Sequence, residues 1–179
     1  MSITLTIFSG LPGTGKTTLA HLVATHLHLP LVCLDEIVDI IPPHMGAHAD
    51  PFWDDMMHIV LGVAAMHLTH NLSVIIDAVF MGDDRLGART LATTLGARFC
   101  PIHTYISDEQ IWRKRVEDRL ASTLPPDEPA TWERIQIQRR DFQAWTPGSA
   151  LYIDGIDPIA HNLAQILSYI SNAQPIDTA

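Results

Sequence analysis

The chain has 179 residues, of which 47% are hydrophobic and 17% are charged, and its formal net charge is −9 at pH 7. This length and composition predict one domain over residues 1–179, with no room for the separate lid domains of a motor. The longest nearly continuous apolar stretch, IVLGVAAM, is less than half as long as a membrane-spanning helix, and no basic region precedes the N-terminal apolar run, so we expect a cytoplasmic protein without membrane contact.

The basic residues are distributed unevenly along the chain. Lys16 is the only Lys or Arg among residues 1–84, whereas seven of the eleven basic residues lie between Arg113 and Arg140. This distribution predicts one acidic face and one basic segment.

Two cysteines, Cys33 and Cys100, lie inside apolar segments. They have no CxxC spacing and no secretory context, so the pattern predicts buried free thiols and not a disulfide. A reducing compartment fits this expectation.

The N-terminal part of the chain begins with a strand, a glycine-rich turn and a helix. The apolar run ITLTIF, at Ile3–Phe8, predicts a buried strand, and apolar residues at helical spacing predict a helix over Lys16–Leu29. A second short strand at Leu31–Leu34 leads directly into Asp35 and Glu36. This order of elements is typical of an α/β protein.

The rest of the chain continues to alternate helices with strands. An apolar helical face begins at Asp50, and the continuous apolar run Leu72–Asp77 predicts a central strand that is covered on both sides. Ser107 and Gln110 form a capping-box pattern at the start of a helix in the basic segment. The other predicted elements are a helix at Asp84–Leu95, a strand at Ala97–Ile106, a helix at Thr131–Trp145, a strand at Ala150–Asp154 and a last helix opened by Asp157-Pro158. Five strands alternating with helices predict a five-stranded parallel sheet with helices on both faces.

The glycine-rich turn matches the phosphate-binding pattern GxxxxGK[ST] in full, with Gly10, Gly15, Lys16 and Thr17 at the fixed positions. The match lies between a predicted strand and a predicted helix, where backbone N–H groups and the helix N-terminus can surround a phosphate. This context predicts a P-loop NTPase fold with a bound nucleotide. We expect nucleotide contacts along the whole loop, which consists of Gly10, Leu11, Pro12, Gly13, Thr14, Gly15, Lys16, Thr17 and Thr18.

Three polar side chains have distinct expected roles around the nucleotide. The Lys16 ammonium is expected to reach the β- and γ-phosphates of ATP, and the Thr17 hydroxyl is expected to ligate the Mg²⁺ that bridges them. Asp77 ends the predicted central strand and is expected to hold the same ion through its water shell, because Mg²⁺ keeps several waters. We therefore expect ATP and Mg²⁺ as cofactors.

An acid after the second strand is a candidate catalytic base. The carboxyl ends of neighbouring parallel strands open on one crevice, so Asp35, Asp77 and the glycine-rich loop are expected to converge there. Asp35 is then in position to accept a proton from an attacking hydroxyl. A helix N-cap or a second Mg²⁺ ligand is an alternative role for Asp35, and Glu36 is an alternative base.

At this point the sequence resembles the polynucleotide-kinase-like P-loop phosphotransferases, a family that includes zeta toxins and chloramphenicol phosphotransferases. The resemblance extends over nearly the whole chain and rests on GLPGTGKTTLA, on Asp35, on VIIDAVF before a helix with Arg85 and Arg89, and on the spacing Arg115-x-x-x-Arg119. It implies a hydroxyl-activating base at Asp35, a phosphate clamp at Arg119 and a nucleotide contact at Arg115. It also implies a mobile helical lid, at about residues 112–145.

The acidic first half bears on the identity of the phosphoryl acceptor. Residues 37–55 contain no Lys or Arg, whereas a kinase for nucleotides or nucleic-acid ends needs cations to hold substrate phosphates. We therefore predict an ATP-dependent phosphotransferase that acts on a hydroxyl of a small neutral or cationic molecule. One alternative is a nucleotide or nucleic-acid 5′-hydroxyl kinase. Another is an ATPase or nucleotide-dependent switch, which is disfavoured because Ala78 stands where a hydrolytic motor usually has a glutamate.

Overall fold

In a computed structural model, which describes residues 3–41, 50–122, 131–143 and 145–172, five parallel strands form one sheet. The strands are β1 (Thr4–Ser9), β2 (Leu31–Cys33), β3 (Val74–Asp77), β4 (Arg98–Tyr105) and β5 (Leu151–Asp154). The helices are α1 (Lys16–Leu27), α2 (Leu34–Ile40), α3 (Asp50–Thr69), α4 (Asp83–Thr94), α5 (Glu109–Ser122), α6 (Trp132–Asp141) and α7 (Ile159–Asn172). The sheet order is β2-β3-β1-β4-β5, and every neighbouring pair is parallel. The predicted α/β architecture is therefore confirmed.

The middle strand of the sheet is β1, which pairs with β3 on one side and with β4 on the other. The sequence predicted β3 as central, and β3 is instead one position away from the middle, between β1 and β2. All residues of both strands are buried. Continuous apolar runs are expected for any interior strand of a sheet that helices cover on both faces, so they do not distinguish the two positions.

The two faces of the sheet pack against different helices. Ile75 and Ile76 are adjacent on β3 and therefore point to opposite faces. Ile76 belongs to a core cluster with residues of α2, α3 and α4, whereas Ile75 packs with residues of α1 and α7. Burial of one such side chain contributes about 1.5–3 kcal/mol. A third, smaller cluster joins α5 and α6 to the glycine-rich loop through Leu11, Ile106, Trp112, Val116 and Ile135.

Several helix boundaries differ from the sequence predictions, and α1 ends at Leu27, two residues before the predicted end. The N-cap of α5 is formed by Asp108, whose Oδ1 accepts hydrogen bonds from the backbone N–H groups of Gln110 and Ile111; the predicted cap at Ser107 is wrong by one residue. Helix α6 ends at Asp141, earlier than predicted, and Trp145 instead packs into the core and donates its indole N–H to Oγ of Ser9 at the end of β1.

Two further expectations concern the cysteines and the membrane. Both Cys33 and Cys100 are buried free thiols, as predicted. Among the helices within the described ranges, none combines the length and apolar character needed to cross a membrane.

Candidate active site

The glycine-rich loop joins β1 to α1 and packs against α5. Gly13 has a φ of 82°, a left-handed conformation that favours glycine, and a Cβ atom at this position would lie 2.9 Å from Cγ2 of Val116 on α5. The indole N–H of Trp112, also on α5, donates a hydrogen bond of 2.8 Å to the carbonyl oxygen of Pro12. Close contact between the loop and α5 therefore depends on the absence of a side chain at residue 13.

The Lys16 ammonium lies between two carboxylates. Its Nζ atom is 3.7 Å from Oδ2 of Asp35 and 3.8 Å from Oδ1 of Asp77. Lys16 is 4% exposed and the Asp77 side chain is fully buried, whereas the Asp35 side chain is 43% exposed. The structure thus brings together the side chains to which the sequence assigns phosphate binding, metal binding and proton acceptance. Of the three, Asp35 is the one open to solvent.

Strand pairing explains why these side chains meet. Asp77, at the end of β3, is paired in register with Phe8 near the end of β1 and with Cys33 at the end of β2. Helix α2 begins immediately after β2, so Asp35 lies in its first turn at the same edge of the sheet. Helix α1 begins at Lys16 directly after the loop. The carboxyl ends of neighbouring parallel strands therefore form one crevice, as in other open α/β sheets.

Asp77 has one hydrogen-bonded oxygen and one oxygen without a hydrogen bond. Its Oδ2 accepts a hydrogen bond from the Cys33 thiol at 3.4 Å, whereas its buried Oδ1 has no hydrogen-bond partner among the residues that the structure describes. Burial raises the pKa of this thiol to about 12, which keeps it protonated near neutral pH. A buried acceptor without a donor is costly unless a ligand satisfies it.

These donor groups fit a hydrated Mg²⁺. The unpartnered Oδ1 of Asp77 can accept a hydrogen bond from a metal-bound water, and Thr17 places a hydroxyl in the first turn of α1, next to Lys16. Within the described ranges, no group of three or more His, Cys, Asp or Glu could hold a metal ion. A metal in this crevice therefore depends on water and phosphate oxygens for most of its ligands, which is the usual situation of Mg²⁺ beside a nucleotide.

The two acids that follow β2 have different surroundings. Oε1 of Glu36 is 2.7 Å from Nε2 of His21 on α1, and both side chains are exposed. Asp35 faces Lys16 instead. The N-cap of α2 is Cys33, and its side chain makes no capping hydrogen bond, so Asp35 is not the cap of this helix. This geometry favours Asp35 over Glu36 as the group that faces the crevice.

The basic residues of α5 divide into surface pairs and a contact to the site. Arg115 donates a hydrogen bond of 3.0 Å from Nη2 to the carbonyl oxygen of Gly155, in the turn between β5 and α7. Arg119 is exposed and lies one turn further along, in the last turn of α5. The exposed i,i+4 ion pairs of this helix are Arg113–Glu117 and Lys114–Asp118.

Two contributors to the site were missed by the sequence analysis. A Cβ atom on Gly155 would overlap the carbonyl oxygen of Thr14, so this glycine allows the turn after β5 to lie against the glycine-rich loop. Trp112 supplies the hydrogen bond from α5 to Pro12. Both contacts join segments far apart in the chain, and the sequence carries no local signal for either.

Arg85 connects the segment after β3 with the segment after α6. Its Nε donates a hydrogen bond of 2.9 Å to the carbonyl oxygen of Phe80, and its guanidinium carbon is 4.7 Å from the ring centroids of both Phe142 and Trp145. Burial lowers the pKa of Arg85. Burial, together with the charge of Arg85, also lowers the pKa of His103 to about 4. Arg85 thus acts as a structural cation at this end of the sheet.

Several solved structures with similar folds are kinases. A candidate kinase from Chloroflexus aurantiacus superposes with a TM-score of 0.74 at 20% identity, covering 97% of this chain and 98% of that chain. A gluconokinase from Sinorhizobium meliloti gives 0.66 at 16% identity, with coverages of 94% and 91%. The APS kinase CysC from Mycobacterium tuberculosis, in complex with AMPPNP and APS, gives 0.70 at 15% identity, with coverages of 96% and 99%. At these identities, the likeness shows that the chain has the P-loop kinase fold.

Sequence comparison places the chain in a broad family. No curated protein sequence matches it at a significant level. The narrower resemblance to zeta toxins and chloramphenicol phosphotransferases stays a prediction. A family model described as an AAA domain matches residues 5–144, which is most of the chain, and the chain therefore belongs to this AAA domain family.

Proposed function

We propose that this protein is an ATP-dependent kinase that phosphorylates a hydroxyl group of a small neutral or cationic molecule. The observation that carries this proposal is the position of the Lys16 ammonium between Asp35 and Asp77, beside a complete glycine-rich phosphate loop. The similarity in fold to kinases of small molecules, including a gluconokinase and an APS kinase, supports the kinase activity but not the charge of the acceptor.

ATP and Mg²⁺ bind at the glycine-rich loop in this proposal. The loop backbone surrounds the phosphates, and Lys16 moves from its carboxylate partners to the β- and γ-phosphates. Thr17 and Asp77 hold the Mg²⁺. When bound, the ion supplies positive charge that neutralises the phosphate oxygens.

Asp35 acts on the acceptor. Its carboxylate accepts the proton of the acceptor hydroxyl while that oxygen forms a bond to the γ-phosphorus, and the bond between this phosphorus and the leaving oxygen of ADP breaks. The partial exposure of Asp35 supports this role because a base for an incoming substrate has to be reachable. Glu36, paired with His21, is the less suitable group.

The segment 112–145, of which residues 123–130 and 144 lie outside the described ranges, serves as a lid. Arg119 clamps the transferring phosphate, and Arg115 contacts the nucleotide. What supports the second role is the hydrogen bond from Arg115 to Gly155, which places the guanidinium beside the turn that lies against Thr14. Closure of such a segment excludes water from the reacting groups.

The charge around the crevice supports a neutral or cationic acceptor. The sequence has no Lys or Arg between Lys16 and Arg85. The Arg85 guanidinium packs against the rings of Phe142 and Trp145, although one of its terminal nitrogens is buried without a hydrogen-bond partner in the described part of the chain. Two unit charges about 4 Å apart interact by about 4 kcal/mol at an effective dielectric near 20. An excess of carboxylates over cations in this part of the chain therefore disfavours an anionic acceptor. The acids in this part of the sequence are Asp35, Glu36, Asp39, Asp50, Asp54 and Asp55.

An acceptor panel tests the proposal. Purified protein is incubated with γ-labelled ATP and Mg²⁺, together with neutral polyols, amino-bearing alcohols, nucleoside monophosphates or 5′-hydroxyl oligonucleotides. We expect slow ATP hydrolysis alone and label transfer to a neutral or amino-bearing alcohol. Efficient labelling of the anionic acceptors alone would overturn the small-molecule assignment. ATP hydrolysis that no acceptor accelerates and that a protein partner stimulates would indicate a switch instead of a kinase.

A further inference from the structure

Behind the ion pair of Lys16 and Asp77 lies a thiol to which the proposed mechanism gives no role. Cys33 is the last residue of β2, is 3% exposed, and pairs in register with Asp77 on the neighbouring strand. Its Sγ is 3.4 Å from Oδ2 of Asp77, within the distance of a thiol hydrogen bond. The other buried cysteine, Cys100, lies on β4 opposite Thr6 of β1.

The Asp77 carboxylate has few constraints on its orientation. The Cys33 thiol donates to Oδ2, whereas Oδ1 has no hydrogen-bond partner in the described part of the chain and is 3.8 Å from Nζ of Lys16. A carboxylate can rotate about its last side-chain bond, so a donor on one oxygen fixes the direction of the other. Lys16 cannot serve this purpose throughout the reaction if it turns to the phosphates of ATP.

We propose that Cys33 is a positioning residue, whose thiol holds Oδ2 of Asp77 so that Oδ1 faces the water shell of the nucleotide-bound Mg²⁺. The inference rests on the proposed function, because it requires that Asp77 serves the metal. Hydrogen-bond donors behind metal-binding groups commonly set metal affinity, and their loss costs about 10- to 100-fold.

A packing role for Cys33 makes different predictions from a positioning role. Cys33→Val fills a similar volume without a donor, Cys33→Ser keeps a hydroxyl donor, and Cys33→Ala removes both volume and donor. A packing role ranks valine as the best replacement, whereas a positioning role ranks serine as the best. Cys100→Ala is the matched control, since it removes the same atom from a buried strand position away from Asp77.

The experiment measures binding and not turnover. The affinity for a fluorescent non-hydrolysable ATP analogue is determined in EDTA and across a Mg²⁺ titration, for the wild type and each variant. In Cys33→Val and Cys33→Ala, we expect an increase of about tenfold in the Mg²⁺ concentration that gives half of the full gain in affinity for the analogue. The affinity in EDTA should be unchanged. Cys33→Ser and Cys100→Ala are expected to stay close to the wild type.

Two results contradict the inference in separable ways. A wild-type Mg²⁺ dependence in Cys33→Val, or an equal loss of affinity with and without Mg²⁺, would overturn the role of Cys33 while leaving the proposed kinase intact. A wild-type protein whose affinity for the analogue does not respond to Mg²⁺ would overturn the metal role of Asp77 and the inference together. Thermal melts of each variant in EDTA identify any variant that fails to fold. If Cys33→Val and Cys33→Ala do not fold, the Mg²⁺ dependence of Cys33→Ser decides, because the positioning role requires that serine retains the wild-type value.

Discussion

Charge is arranged differently on the two sides of the glycine-rich loop. On the side of β2 and β3, a single buried cation, Lys16, lies between the carboxylates of Asp35 and Asp77. On the side of α5 and α6, three cations have individual carboxylate partners on the surface, in the pairs Arg113–Glu117, Lys114–Asp118 and Arg139–Glu109. The buried cation has one carboxylate in excess beside it until a ligand arrives, whereas each surface pair is neutral already.

This difference indicates what each side can contribute. Exposed ion pairs are worth only about 0–1 kcal/mol and are screened by salt, so the pairs of α5 and α6 add little to stability and leave few charges for chemistry. Their helices act on the loop through uncharged contacts, such as the hydrogen bond from Trp112 to Pro12. Apart from Arg115 and Arg119, to which the proposal gives roles at the nucleotide, residues of α5 and α6 should therefore affect stability when they are substituted, whereas residues beside Lys16 should affect turnover.

The strongest test of the comparison replaces the lysine on each side of the loop by alanine. The chain has only two lysines, Lys16 and Lys114. We expect Lys16→Ala to lower the rate of phosphoryl transfer roughly 10³- to 10⁵-fold, because a cation that neutralises the transferring phosphoryl group is lost. Lys114→Ala removes an exposed charge paired with Asp118 and is expected to leave the rate unchanged. Steady-state kinetics with labelled ATP give both values. Comparable rates for the two variants would end the distinction between the sides.

Next in size is the effect of Asp35→Asn. Loss of general-base catalysis should reduce turnover roughly 10²- to 10⁴-fold while ATP affinity stays nearly constant, because the base acts on the acceptor. Glu36→Gln, one residue further along α2, is the matched control and should behave like the wild type. A parallel loss of ATP affinity in Asp35→Asn would point to metal ligation by Asp35, and a larger loss in Glu36→Gln would reassign the base.

On the other side of the loop, we predict a pH-dependent stability term from His103. Its pKa is lowered to about 4 by burial and by Arg85, whereas an unfolded histidine titrates near 6.5. The folded state thus binds fewer protons, and the neutral ring stabilises the fold fully above pH 6.5. This contribution, about 3 kcal/mol, is lost as the pH falls from about 6.5 to 4.

Denaturant unfolding at several pH values measures this term. The free-energy difference between the wild type and His103→Asn should shrink as the pH falls through this window, while phosphoryl transfer at pH 7.5 is affected far less than by the changes in the crevice. His26→Asn, at an exposed position of α1, is the control substitution and is measured in the same way. A constant difference between pH 7.5 and 4.5 would show that His103 does not titrate with unfolding.

The smallest effect is expected for Trp112→Phe. The ring is retained for packing, but the hydrogen bond to the carbonyl oxygen of Pro12 is lost, which costs about 1 kcal/mol of unfolding free energy. Trp132→Phe is a comparable change in the edge-to-face partner of Trp112, at 5.2 Å between ring centroids, and leaves the hydrogen bond to Pro12 in place. Nucleotide affinity should fall more in Trp112→Phe than in Trp132→Phe. Equal affinities would show that α5 does not support the loop through this bond.

The parts of the molecule that the sequence predicted well are those with local signals. The strand, glycine-rich loop and helix around Lys16 follow from residues that are neighbours in the chain. The approach of Asp35 and Asp77 was predicted because the carboxyl ends of parallel strands meet at one edge. Both predictions required only element types and a general rule of sheet geometry.

The parts that the sequence missed depend on contacts between distant segments. The register that pairs Cys33 with Asp77 is set by sheet order, which periodicity does not encode. The stacking of Arg85 between Phe142 and Trp145 depends on where the chain returns after α6. The shift of the α5 cap from Ser107 to Asp108 is a local error of one residue. Both residue types cap helices, and the backbone geometry decides between them.

The position of the Lys16 ammonium between Asp35 and Asp77 has a consequence for the order in which substrates bind. While Nζ of Lys16 is 3.7 Å from Oδ2 of Asp35, the ammonium already engages this carboxylate oxygen. Arrival of the nucleotide draws the ammonium to the phosphates and leaves the oxygen open to the hydroxyl of the acceptor. An acceptor that enters first thus meets a carboxylate that is still engaged, and initial-velocity patterns should indicate sequential addition with ATP as the leading substrate.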